Sequence, residues 1–191
     1  MSTYAIVLFL HIVGTLGLFA AFALEGTGLE NLRRATTLAQ AREWLRLIGS
    51  TRQIGMPSLL AVLATGISMS LRRWGWQGWI GVALLAMVLI AVLGAAVGGR
   101  RLRDIARTGV AGEGPVTPEL AERLRDPALV VSGWVRTALG LGIVYIMSTK
   151  PSAGGALIAM GVALALGLLA GFAPGRRDRH LALVEARRSD A

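Results

Sequence analysis

The sequence predicts an all-α fold, a polytopic membrane bundle of five transmembrane helices with the N-terminus outside and the C-terminus in the cytoplasm. The first observation is composition, since 54% of the 191 residues are hydrophobic. The second is that five apolar stretches each approach the ~20 residues that a helix needs to cross a hydrocarbon core about 30 Å thick. These stretches cover residues 4–24, 54–71, 76–99, 128–147 and 154–173.

The third observation is the placement of the basic residues, which predicts the orientation. Sixteen of the 20 Lys and Arg residues fall in one alternate set of connections (25–53, 100–127 and 174–191), and three fall in the other (1–3, 72–75 and 148–153). Cytoplasmic connections carry the excess of positive charge, and an even number of spans would break this alternation. We therefore expect a multi-pass protein of the bacterial cell (inner) membrane. The net charge of +9 comes from arginines that would face anionic lipids at the cytoplasmic surface rather than nucleic acid.

This topology is the first testable prediction. A reporter fused after Ala191 should be cytoplasmic, and cysteines introduced at Gly75 and Ser152 should react with a membrane-impermeant reagent added outside. The chain has no cysteine of its own, so only the introduced thiols report. Labelling of a cysteine at Gly109 from outside would contradict the five-span topology.

The chain has room for one transmembrane domain, residues 1–175, followed by a basic cytoplasmic tail, residues 176–191. Within the first inside connection, residues 36–48 show an apolar helical face opposite three charged residues. The apolar face consists of Leu38, Ala41, Trp44, Leu45 and Ile48. This pattern predicts a helix lying in the cytoplasmic interface, and a helix that docks on a partner is the alternative.

Local signals predict where other helices begin, end and pack. Glycines and charge predict the end of the first helix near residues 25–28. Thr117 as N-cap, Pro118 in the first turn and the acidic Glu119 predict a short helix that ends at Asp126-Pro127. Small-residue pairs, Gly94-x-x-x-Gly98 and Gly167-x-x-x-Gly171, are typical of closely packed transmembrane helices.

Composition excludes several kinds of chemistry. Without cysteine there are no disulfides, thiolate nucleophiles or cysteine-ligated clusters, and the two histidines, His11 and His180, are too few for a diheme site. No acidic residue lies inside a predicted span, which argues against proton-coupled transport and Ser/His/Asp catalysis. We therefore predict no catalytic residue and no metal ligand set, and the balance favours a protein that is not an enzyme.

His11 and Arg136 are the two ionisable residues predicted at membrane depth, about 10 and 16 Å from the outer surface. If the first and fourth spans are neighbours, the two side chains lie within reach of each other. They are the predicted cofactor-binding pair, with haem as the candidate: an axial imidazole at the iron and a guanidinium at a propionate. Structural alternatives stay open. Arg136 would reach inward to Glu25 or to exposed carbonyls, and His11 would hydrogen-bond to a neighbouring helix.

The exit of the fourth span, Met147-Ser148-Thr149-Lys150-Pro151, resembles an uncharacterised bacterial family of small predicted integral membrane proteins that closes its penultimate helix with Met-x-x-Lys-Pro. The resemblance covers roughly residues 5–151. It includes His11 followed by glycines, Pro57, Thr65-Gly66, Trp79 and Thr117-Pro118-Glu119-Leu120. The first helix is also distantly similar to copper-resistance-D-type and membrane protoporphyrinogen-oxidase-like proteins. That similarity implies a metal or haem role for His11.

Three functions are compatible with these features. We expect first a non-enzymatic structural or accessory membrane protein, with other membrane proteins or a second copy of the chain as partners. The alternatives are a haem- or metal-binding redox protein that uses His11 and Arg136, and a transporter of small solutes or lipids. A visible absorption spectrum of purified protein would distinguish the haem alternative from the other two.

Overall fold

The computed structural model describes residues 2–108 and 110–189, and the described chain folds into helices joined by short connections. Two π-helical turns, Ser70–Trp74 and Gly94–Gly99, follow the second and third helices. The α-helices are α1 (Thr3–Arg33), α2 (Leu38–Met69), α3 (Gly78–Leu93), α4 (Arg100–Thr108), α5 (Pro118–Leu124), α6 (Pro127–Thr149) and α7 (Ala153–Ser189). Helix α7 continues into the predicted basic tail (176–191), whose side chains, including that of His180, lie outside the described part of the chain.

Five helical segments of the described chain are long and apolar enough to cross a membrane, which confirms the predicted fold class. They are Thr3–Arg33, Leu38–Arg72, Gly78–Arg107, Pro118–Thr149 and Ala153–Ala173. The orientation of these spans remains the prediction drawn from the arginines.

The first helix is longer than predicted. The expected end near residues 25–28 is wrong, because α1 continues to Arg33 and is about 46 Å long at 1.5 Å per residue. Gly28 is buried, and a Cβ built on it would come within 2.6 Å of Cγ1 of Ile48. Glycine at this position therefore lets α2 approach α1, and tertiary packing overrides its low helix propensity.

The separate interfacial helix predicted over residues 36–48 is also wrong. Residues 38–48 form the first part of the continuous helix α2, which has Thr37 as its N-cap and runs on to Met69. Their apolar face exists as predicted but packs against protein: Ala41 is fully buried, as is Leu32 of α1, and both belong to a core that includes Leu124 of α5. Protein rather than lipid covers this face because α1 and α5 extend alongside it.

The short helix before the fourth span is confirmed. Thr117 caps α5 by accepting a hydrogen bond from the Leu120 N–H at 3.3 Å, and Pro118 occupies the first turn. Asp126 then caps α6 by accepting from the Ala128 N–H at 2.9 Å, and it also pairs with Arg101 of α4. This acid therefore fixes the beginning of α6 relative to α4.

Two helical hairpins make up most of the bundle. Helix α1 packs along α2, and α6 packs along α7, while α3 lies against α6 and α7 and α1 contacts α6. One apolar core, with the buried Met87, Leu139 and Ile146, fills the spans. The second, around Leu32 and Leu124, lies beyond it at the end that the arginines predict to be cytoplasmic.

Candidate functional site

A buried ion pair joins α1 to α6. Arg136 donates from Nη1 to Oε2 of Glu25 at 3.0 Å and from Nη2 to Oε1 of the same carboxylate, and its Nε donates to the Ser132 carbonyl at 3.3 Å. The Arg136 and Glu25 side chains are 8% and 15% exposed. Two parallel N–H···O bonds give this contact a fixed geometry as well as a strong interaction.

The surroundings of the pair are small or aromatic. The Arg136 guanidinium carbon lies 5.5 Å from the centre of the Phe22 ring, within the range of a cation–π contact. Gly94 and Gly98 of the second π-helical turn face the pair. A Cβ on Gly94 would lie 3.3 Å from Nη1 of Arg136, and one on Gly98 would lie 3.4 Å from Oε1 of Glu25. The predicted Gly94-x-x-x-Gly98 pair therefore makes room for charged side chains rather than for a helix backbone.

His11 bridges α1 and α2. Its Nδ1 lies 2.9 Å from Oγ1 of Thr65, while the Thr65 hydroxyl also donates to the Ala61 carbonyl one turn back. A hydroxyl has one proton, so a Thr65 oxygen that donates to Ala61 accepts from Nδ1–H of His11. This network assigns the proton of the neutral imidazole to Nδ1 and leaves Nε2 as an acceptor.

His11 and Arg136 do not form the predicted common site. The partner of Arg136, Glu25, lies fourteen residues after His11 on the same continuous helix, about 21 Å along its axis. Arg136 instead pairs with Glu25, and His11 hydrogen-bonds to Thr65 of the neighbouring helix α2. These are the structural alternatives that the sequence left open. The long side chain of Arg136 points away from the level of His11, so equal backbone depth does not bring the two groups together.

His11 lines a cavity of about 410 Å³ between α1, α2, α3 and α6. The cavity lies at the end of the bundle where α1 and α3 begin and where α2 and α6 end, which is the predicted outer end. Its volume falls within the 300–1,000 Å³ typical of small-molecule sites. Several apolar residues line it and are also exposed on the bundle surface, so that it communicates with the predicted lipid-facing surface: Ile12, Leu16, Ile67, Trp76 and Val144.

Three hydroxyl groups in the cavity wall already use their protons. Thr15 donates to the His11 carbonyl at 2.9 Å, Ser70 to the Gly66 carbonyl at 2.9 Å, and Ser148 to the Val144 carbonyl at 2.9 Å. Each hydroxyl therefore presents lone pairs rather than a donor to the space beside it. Trp76, Trp79 and Lys150 bring N–H groups to the same wall. The remainder of the wall is mostly apolar.

Residues that the sequence singled out separately meet at this cavity. His11, Gly66, Trp79, Met147 and Lys150 all line it. Lys150 ends α6 in a left-handed conformation (φ 48°), and its N–H bonds to the Ile146 carbonyl at 2.9 Å. These five residues of the family resemblance therefore share one place in the fold, whereas Pro57 and residues 117–120 do not line the cavity.

Sequence analysis named Glu25 only as an alternative partner of Arg136 and not as part of the candidate site, because the predicted helix ended there. A usable signal was present: Arg136 in an apolar span needs an anion, and Glu25 is the acid nearest to a predicted span. Thr65 entered the sequence analysis only through the family resemblance. Ser70 and Ser148 gave no signal, since hydroxyl groups are ordinary in packed transmembrane helices.

Comparison with protein-family models, with curated proteins and with solved structures finds no match. The class of protein is therefore defined by the fold alone: a helical multi-pass membrane protein with a cavity at one end. The bacterial-family resemblance stays a prediction.

The predicted haem site does not fit as a two-point site, because the guanidinium intended for a propionate is paired with Glu25. His11 itself is suited to bind through Nε2, since the hydrogen bond to Thr65 fixes its other ring nitrogen. Among the described residues, no three His, Cys, Asp or Glu side chains form a group that could hold a metal ion.

Proposed function

We propose that this chain is a non-enzymatic membrane protein that binds an apolar small molecule taken from the bilayer. The observation that carries the proposal is the cavity beside His11, about 410 Å³ in volume and bounded by four helices. Its wall is mostly apolar, with a few polar groups that can orient a ligand, which is the usual construction of a small-molecule site. The protein would act as an accessory subunit or carrier that holds this molecule.

Two features of the bundle support a ligand that arrives through lipid. Cavity-lining residues such as Leu16 (65% exposed) and Ile67 (42% exposed) also face the outside of the bundle, where acyl chains would surround them. The rim carries Trp76 and Trp79, and tryptophans are enriched at the level of the lipid head groups. A hydrophobic molecule dissolved in the outer leaflet would meet the cavity without crossing water.

Photolabelling in lipid nanodiscs tests this proposal. We expect a dodecanol with a diazirine in its chain, or its methyl ether, to label peptides around Leu63 and Ile67 more strongly than the lipid-facing surface of α7. The variant Ala83→Phe should reduce that labelling about five- to 150-fold, because its ring takes up cavity space and overpacking a buried wall costs about 1–3 kcal/mol.

Leu85→Phe is the matched control. Leu85 lies on the same helix, is 67% exposed and does not line the cavity, so the same side chain there should leave labelling unchanged. The melting temperature of each variant shows that the bundle remains folded. Uniform labelling of the lipid-facing surface by both probes, with no enrichment at the cavity, would contradict the proposal.

A haem- or metal-binding protein is the second candidate function. What favours it is that three methionines, Met69, Met87 and Met147, line the cavity together with His11. Thioethers and imidazole are ligands for copper(I), and a Met/His pair ligates haem in some cytochromes. Met147 lies near the end of α6, whereas Met87 lies about 14 Å into α3. A Soret band or stoichiometric copper in purified protein would favour this candidate over the apolar ligand.

A further inference from the structure

Three hydroxyl groups of the cavity wall have no proton to offer a ligand. The hydroxyls of Thr15, Ser70 and Ser148 each donate to a backbone carbonyl of their own helix, so their protons are occupied. A ligand that offers only acceptors, such as an ether, a ketone or an ester, would find no proton from these three groups.

His11 adds the best-oriented acceptor. Its Nδ1–H is held by Thr65 at 2.9 Å. A Cβ built on Gly66 would lie 3.3 Å from Cε1 and 3.7 Å from Nδ1 of the ring, so this edge of the imidazole lies against α2. Nε2 lies on the edge away from Gly66. Because His11 lines the cavity, Nε2 is the ring nitrogen left to meet a ligand there.

Thr65 keeps that acceptor in place. Because its hydroxyl also donates to the Ala61 carbonyl, its oxygen is available to His11 only as an acceptor. The alternative tautomer, with the proton on Nε2, would set two lone pairs against each other across 2.9 Å. The Ala61 carbonyl of α2 therefore orients the Thr65 hydroxyl, and this hydroxyl leaves Nε2 of His11 as the nitrogen that can accept from a ligand.

We infer that the cavity binds a neutral amphiphile that carries a hydroxyl group, with the O–H donating to Nε2 of His11 and the apolar body lying along α2 and α3. This inference rests on the proposed function and names the ligand class of the same site. A buried acceptor left without a donor loses its hydration and gains nothing, which is why such sites reject analogues that lack the matching group.

The experiment compares two probes that differ by one hydrogen-bond donor, dodecanol and dodecyl methyl ether. Each competes with diazirine-bearing dodecanol for photolabelling of the full chain in nanodiscs, at equal concentration in the lipid. We expect the alcohol to compete roughly two- to twelvefold more effectively than the ether, since one net hydrogen bond is worth about 0.5–1.5 kcal/mol. Equal competition by the two would overturn the inference.

Variants assign the preference to His11. In His11→Phe the ring volume is largely kept and the acceptor is lost, so the alcohol and the ether should become equal competitors. Thr65→Val frees the tautomer and should reduce the preference without abolishing it. Retention of the full preference in His11→Phe would overturn the assignment. If His11→Phe does not fold, the competition of alcohol against ether in the wild-type protein still tests the inference.

The outcomes separate this inference from the proposed function. Labelling of the cavity by both probes with equal strength leaves a bilayer-derived ligand and removes the hydroxyl requirement. Absence of cavity labelling by either probe contradicts both. Stronger competition by the ether than by the alcohol would contradict the O–H···Nε2 contact.

Discussion

Replacement of Arg136 by leucine is expected to lower the stability of the bundle, although leucine suits a hydrocarbon environment better. The substitution leaves the Glu25 carboxylate, 15% exposed, without its bidentate partner inside the helix pair. Breaking a buried pair by removing one member costs about 3–5 kcal/mol. A lipid-facing arginine would show the opposite sign, since arginine at a helix centre costs about 2.5–3.5 kcal/mol on insertion scales.

The melting temperature in detergent and the free energy of unfolding measure this effect. The double variant Glu25→Leu with Arg136→Leu should recover much of the lost stability, because no unpaired charge remains. The double-mutant cycle then gives the interaction free energy of the two side chains. Trp134→Leu is the control on the same helix, at a position that is 48% exposed and outside the ion pair. A higher melting temperature for Arg136→Leu than for the wild type would refute the structural pairing.

The second large effect is expected from the glycines between α6 and α7. A Cβ on Gly167 would come within 2.8 Å of the Val135 Cα, and one on Gly171 within 2.7 Å of the Val131 Cα. Backbone atoms cannot rotate away, so even alanine at either position must push the two helices apart. We expect Gly167→Ala and Gly171→Ala each to destabilise by about 1–3 kcal/mol, as overpacking usually does.

The same helix provides a control of opposite sign. A methyl group added at Gly161 would have no atom of a neighbouring helix within 4 Å, so Gly161→Ala should gain helix propensity, up to about 1 kcal/mol, without a clash. Thermal unfolding of the three variants side by side tests the contact. Equal effects at all three positions would show that the close approach of α6 and α7 does not contribute to stability.

Local sequence patterns specify the helix caps but not the partner that covers an apolar helix face. Thr117 and Asp126 can be placed from sequence because a cap is satisfied within three residues by backbone N–H groups. The apolar face of residues 36–48 is equally evident in the sequence, but what covers it is not. Lipid and the side chains of α1 and α5 are alike in polarity, so composition cannot distinguish them.

The cavity shows the same limit for the candidate site. The sequence identifies His11 as a buried polar residue, and its hydrogen bond to another helix is among the alternatives left open. Its position beside Thr15, Ser70 and Ser148 depends on the rotation of four helices about their axes. The predicted pairing with Arg136 is wrong because depth along a helix does not include the direction in which a long side chain extends.

The order of the amino acids is enough to predict five apolar helices of membrane-spanning length, the beginning of the short helix before the fourth span, and the residues that are anomalous in an apolar environment. These features follow from hydrophobicity and local hydrogen bonding, which act over a few residues. The folded bundle adds that α1 continues past Gly28, that Glu25 pairs with Arg136, and that a mostly apolar cavity forms beside His11. Each of these depends on the contact of residues far apart in the chain, and helix packing alone sets that contact.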